Sequence, residues 1–231
     1  RGLGDVYKRQ DDNFSTIKAA VEEGRGVFDN LTKFITWTLP TNGGEALVIM
    51  LAIFLGAALP ILPLQILWIN MTTALLLGLT LAFEPKEPGI MTRQPRDPRE
   101  PILNRALIFR IVLVSLLLLI GAFGLFELEL RTSGKEDLAR TMAVNTFVFG
   151  EMFYLFNCRS LTRSFWQLGV FSNRWLWAGV AVMAALQALF TYAPFFNTIF
   201  RTQPMGMGHW AMVLGYSALI SWIAVSYTHL R

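Results

Sequence analysis

Apolar runs of about twenty residues alternate with short polar segments along most of this chain. They fall at roughly 34–57, 64–83, 106–127, 139–157, 175–194 and 209–225. Each is close to the ~20 residues that a helix needs to cross a ~30 Å hydrocarbon core. Such a series in 231 residues argues against a soluble apolar core and for about six transmembrane helices. Ahead of the first run, residues 11–33 have another rhythm. Phe14, Ile17, Val21, Phe28 and Leu31 recur at helical spacing with charges between them, the pattern of an amphipathic helix. No breaker separates this stretch from Phe34, so it is expected to enter the first span as a stalk. The fold class predicted is all-α, a polytopic membrane helix bundle whose first helix is extended by that stalk.

The first two spans carry polar residues in their interiors. The first carries Pro40, Thr41, Asn42, Gly43, Gly44 and Glu45 in its middle. Proline and paired glycines weaken a membrane helix's own hydrogen bonding, so carbonyl oxygens around Pro40–Gly44 are expected to be released. Pro60 and Pro63 mark a tight turn, and the second span carries Asn70, Thr72 and Thr73. A Pro- and Arg-rich loop covers 84–105, and a basic loop covers 159–174.

Composition agrees with a membrane protein: 54% hydrophobic and 16% charged residues, with a mean hydropathy of +0.46. The net charge of +4 does not indicate nucleic acid, because the basic residues sit between apolar runs rather than in one patch. Sorting loops by side puts fifteen Lys and Arg in 1–33, 84–110 and 159–174, against four (Arg131, Lys135, Arg140, Arg201) on the other side. The positive-inside rule then places both termini in the cytoplasm. One cysteine, Cys158, and two distant histidines, His209 and His229, offer neither an intrachain disulfide nor a zinc site.

The candidate chemistry is intramembrane. Asn42 and Glu45 are three apart and share a helix face, as do Asn70 and Thr73 on the antiparallel neighbour. A carboxylate at mid-bilayer costs ~2.5 kcal/mol or more and needs a partner. A bound cation held by hard oxygen ligands supplies one; a protonated Glu45 acting as interhelical glue is the alternative. Glu151, deep in the fourth span, either completes such a site or bridges helices. Glu127 and Glu129 are expected to be solvated at the interface, and Arg105 and Arg110 to snorkel to the surface.

The order DDNF, EEGR, NGGE, LQILWIN, FEPKEPGIM and PRDPREPI resembles the calcium-pump branch of the P-type cation-transporting ATPases. The resemblance covers about residues 11–225 and is most specific from Gln65 to Ile102. It implies the end of a phosphorylation domain and stalk helix (11–33) followed by the last six membrane helices (34–225). It also implies that Asn42, Glu45, Asn70, Thr73 and Glu151 contribute to the site of the transported cation, Ca²⁺ or a monovalent ion such as Na⁺ or K⁺. An Asp in the family's pattern is Ala74 here, which lowers the site's charge capacity. The 231 residues carry no DKTGT, TGES or TGDGxND motif, so ATP hydrolysis with ATP and Mg²⁺ is expected only of a complete pump. Its partners are expected to be the lipid bilayer, the cation, and cytoplasmic domains plus four further helices of the same pump. No nucleic acid is among them, and the expected location is a prokaryotic plasma membrane. A stand-alone secondary transporter or channel would show a repeated interrupted helix; only 34–57 is interrupted. A non-catalytic membrane remnant is the third reading. The flanks 1–10 and 226–231 differ from the family's pattern and are expected to be non-native.

Overall fold

The computed structural model describes residues 14–96, 101–160 and 169–229. The expectation for 1–10 lies outside them. The described chain is helical: α1 (Phe14–Leu55), α2 (Pro63–Leu76), a 3-10 segment (Gly78–Phe83), α3 (Arg105–Ser133), α4 (Glu136–Cys158), α5 (Arg174–Tyr192), α6 (Pro194–Phe200) and α7 (Met207–His229). Among the described residues, five helical stretches are long and apolar enough to cross a membrane: α1, α2 with the 3-10 segment, α3, α5 and α7. Their outward faces carry exposed apolar side chains, among them Ile53, Phe54, Leu75, Ile120 and Trp222, as lipid-facing surfaces require. α4 differs because it carries Glu136, Asp137, Arg140 and Glu151. It touches all five of the other long helices, and an unbroken run from Leu138 to Val148 is buried. A helix buried on every side can hold polar residues that a lipid-facing helix cannot.

α1 is one continuous helix of 42 residues, ~63 Å by helical rise. That exceeds the ~30 Å hydrocarbon core, so its N-terminal half stands clear of it. The helix runs through Pro40 without unwinding, contrary to the expectation of released carbonyls. Pro40 has no N–H for the Thr36 carbonyl, but the Tyr154 hydroxyl of α4 donates to that oxygen at 3.2 Å. Ser115 of α3 donates to the Pro40 carbonyl at 3.0 Å. Neighbouring helices thus take up the oxygens that the sequence would release.

The interruption falls in the second span instead. α2 ends at Leu76, and the chain tightens into the 3-10 segment. A Cβ added at Gly78 would meet the Phe34 and Trp37 rings at 2.7 and 2.8 Å. One added at Gly179 would run into the Leu76 carbonyl. These close approaches hold the second span between α1 and α5. α6 is a short helix that opens at Pro194, where a missing N–H costs nothing. The apolar segment at the C-terminal end stays helical to His229.

Segment 84–96 is tied along the stalk part of α1. Arg25 donates to the Ile90 and Arg93 carbonyls at 2.8 and 2.9 Å. Asn30 donates to the Ala82 and Glu84 carbonyls at 3.1 and 3.0 Å. Arg93 pairs with Asp29 and with Glu87, each at 2.9 Å. Lys33 is sealed beneath this segment, and burial lowers its pKa against the opposing pull of Glu87, Glu84 and Asp29.

Candidate intramembrane cation site

α1, α2 and α4 bring polar side chains together inside the bundle. Glu45 is 5% exposed, Thr73 3% and Glu151 1%. The Asn70 amide donates to Glu45 Oε2 at 2.7 Å, and Thr73 is within hydrogen-bonding reach of the Glu151 carboxylate. Glu45 and Glu151 lie close enough for their charges to interact. One oxygen of each carboxylate, Glu45 Oε1 and Glu151 Oε2, is buried without a hydrogen-bond partner. Buried polar atoms are nearly always paired, so two orphaned acceptors on interacting carboxylates make the region electron-rich and under-satisfied.

Four of the residues singled out from the sequence therefore converge: Glu45, Asn70, Thr73 and Glu151. Asn42 does not join them. It lies on an exposed part of α1, as Ala74 does on α2. Among the described residues no group of three or more His, Cys, Asp and Glu is placed to hold a metal ion. The donors that do converge are two carboxylates, a side-chain amide and a hydroxyl. Hard oxygen donors of this kind suit alkali or alkaline-earth cations rather than thiophilic metals.

Other polar residues in the interior went unread in the sequence. Trp37 donates from its indole nitrogen to the Glu151 carbonyl at 3.1 Å, and Tyr154 holds Thr36. The two bonds stitch α1 and α4 together next to the carboxylate pair. Arg110 does not snorkel. It is 4% exposed, its guanidinium lies over the Tyr154 ring at 5.2 Å, and it donates to the Asn157 carbonyl at 3.0 Å. Glu129 is not solvated either: it is buried and paired with His209 at 3.4 Å. At another end of the bundle, Glu84 and Arg159 form a sealed ion pair at 2.7 Å. Asn173 donates to Glu84 Oε1 at 2.9 Å while its own oxygen caps α5. No spacing signature marks such residues, because each partner comes from a distant part of the chain.

The chain is similar along most of its length to known proteins. The family described as "Cation transporting ATPase, C-terminus" matches residues 58–228. A "Probable cation-transporting ATPase F" of Mycobacterium tuberculosis is 58% identical over 218 residues, covering 94% of this chain and 24% of the relative. "Cation-transporting ATPase pma1" of Synechocystis is 45% identical, over 88% of this chain and 23% of the relative. A "Calcium-transporting ATPase" of Bacillus subtilis is 36% identical, over 90% and 24%. The chain spans about a quarter of the length of these relatives.

Proposed function

Since this chain belongs to the family of cation-transporting ATPase C-termini, we propose that Glu45, Asn70, Thr73 and Glu151 form part of the site through which an ATP-driven pump carries its cation across the membrane. The observation that carries the reading is the pair of orphaned carboxylate oxygens, Glu45 Oε1 and Glu151 Oε2, buried where α1, α2 and α4 meet. Two buried carboxylates without a counter-charge are costly, and a transported ion offsets that cost while it is bound. Asn42, facing outward from α1, contributes from the side on which the complete pump would place further helices. α4 is the sixth crossing in this reading, shielded from lipid by the other five.

The complete pump would use ATP and Mg²⁺ in cytoplasmic domains outside this chain, with the stalk part of α1 carrying the coupling. The chain would sit in a prokaryotic plasma membrane with both termini in the cytoplasm. The relatives named as calcium-transporting support Ca²⁺ as cargo. Ala74, where the family's pattern has an acid, lowers the charge capacity and supports a monovalent ion such as Na⁺ or K⁺. The deciding experiment uses the full-length pump that carries this segment. Glu45→Gln is expected to abolish cation-dependent phosphorylation from ATP. Ion-stimulated turnover at the wild-type rate would remove Glu45 from the site.

A further inference from the structure

A second polar cluster lies between α4 and α5, apart from the carboxylate pair. Thr141, Asn145, Gln187 and Thr191 are all fully buried. The Asn145 amide nitrogen donates to the Thr141 carbonyl at 2.8 Å and to Thr191 Oγ1 at 3.1 Å. These bonds fix the orientation of its amide and leave Asn145 Oδ1 buried with no partner. Gln187 is one helical turn from Thr191 on the same face of α5. Its oxygen accepts from Trp68 Nε1 at 3.4 Å, which leaves Gln187 Nε2 buried with no partner.

One orphan is an acceptor and the other a donor. A bare cation would satisfy Asn145 Oδ1 but repel the Gln187 amide hydrogens, and an anion would do the reverse. A water molecule accepts from one and donates to the other, and buried waters pair with otherwise unsatisfied buried polar groups. We propose that Asn145 and Gln187 hold an ordered water between α4 and α5, and that this water is the inner station of a polar route from the carboxylate pair to the loop at 201–206. Outward, the route continues through Thr141, whose hydroxyl accepts from the Gln203 backbone N–H at 2.9 Å, and past Met205, whose sulfur lies 3.9 Å from the Asn145 amide. Inward, Trp68 on α2 precedes Asn70, the partner of Glu45, and Asn145 stands ~9 Å from Glu151 along α4 by helical rise.

Occupancy of the water is independent of the cation-site reading; the route rests on it. Met205 is the reporter for occupancy, because its sulfur touches the Asn145 side chain and hydroxyl radicals generated from a held water oxidise a neighbouring sulfur. In radiolytic footprinting of the detergent-solubilised chain, Met205 is expected to oxidise several-fold faster than Met142 and Met183, which are fully buried. Gln187→Leu is expected to remove most of that excess. Equal rates at the three methionines, or an excess unchanged in Gln187→Leu, would overturn the water. Should Gln187→Leu fail to fold, density bridging Asn145 Oδ1 and Gln187 Nε2 in a high-resolution map of the wild-type protein decides, and an empty gap overturns the proposal. For the route, Gln187→Leu in the full-length pump is expected to slow turnover several-fold while cation-dependent phosphorylation persists. Unaltered turnover would overturn the route. So would a loss of phosphorylation like that expected for Glu45→Gln, because it would put Gln187 in the cation site itself.

Discussion

Glu84 and Arg159 are sealed from solvent, 2.7 Å apart, with side chains 2% and 0% exposed. The Asn173 amide, the Ser172 hydroxyl and the Gly169 and Val170 carbonyls are among the groups around them. Removing one member of a buried pair strands the other charge, at a cost of about 3–5 kcal/mol. Arg159→Met is therefore expected to lower the thermal midpoint of the detergent-solubilised protein by that equivalent. Arg159→Met with Glu84→Met should recover much of the loss. A single-variant loss of about 0–1 kcal/mol, the range of exposed pairs, would contradict the sealed pair. At this scale the sequence was legible only in part. Glu45, Asn70, Thr73 and Glu151 stood out because polar residues in apolar runs demand a reason. Arg110 and Glu129 were assigned to solvent because their positions near the ends of apolar runs fit snorkelling equally well. Their actual partners, Tyr154 with Asn157 and His209, come from other helices.

Individual helices show the same dependence on their neighbours. Pro40 and the Gly43–Gly44 pair read as a broken helix, yet α1 stays whole because Tyr154 supplies the hydrogen bond that Pro40 cannot. Tyr154→Phe leaves the Thr36 carbonyl buried and unpaired, which costs about 1–3 kcal/mol. A matching fall in thermal stability is expected. In a Pro40→Ala background, the new N–H at position 40 reaches the Thr36 carbonyl, so the penalty of Tyr154→Phe should shrink. Equal penalties in the two backgrounds would show that the hydroxyl does not serve Thr36. Hydropathy along the sequence marked where long apolar helices lie, since each must be apolar over a bilayer's width, but α3 runs on to Ser133, past the end of its apolar run at 127. It missed the switch from α2 to the 3-10 segment, which answers to Gly78 and Gly179 meeting rings and a carbonyl from other helices.

For the whole molecule, the uneven distribution of Lys and Arg predicts that both termini lie in the cytoplasm, and a labelling experiment tests that orientation. Cys158 is buried, so the background from an impermeant maleimide is low. Thr92 and Ser133 are exposed on opposite sides of the proposed membrane. Ser133→Cys is expected to label in intact cells, and Thr92→Cys only after permeabilisation. The reverse pattern would invert the topology. With the expected labelling, the tie between 84–96 and the stalk part of α1, through Arg25, Asn30 and Arg93, is on the cytoplasmic side. There it fastens the second span to the helix that leads out of the membrane.

The sequence by itself determined that this protein is a bundle of membrane helices of a cation-ATPase kind, with carboxylates and amides held inside it. Hydropathy over twenty residues and the cost of intramembrane charge are local properties, readable without partners. The tertiary structure alone decided which polar groups meet, and it placed four of the five candidate residues together while leaving Asn42 on an exposed part of α1. It also decided that α4 is the central helix, that Pro40 breaks nothing, and that Asn145 and Gln187 leave complementary orphans. Each outcome depends on contacts between segments far apart in the chain, and spacing along one helix carries no record of what faces it.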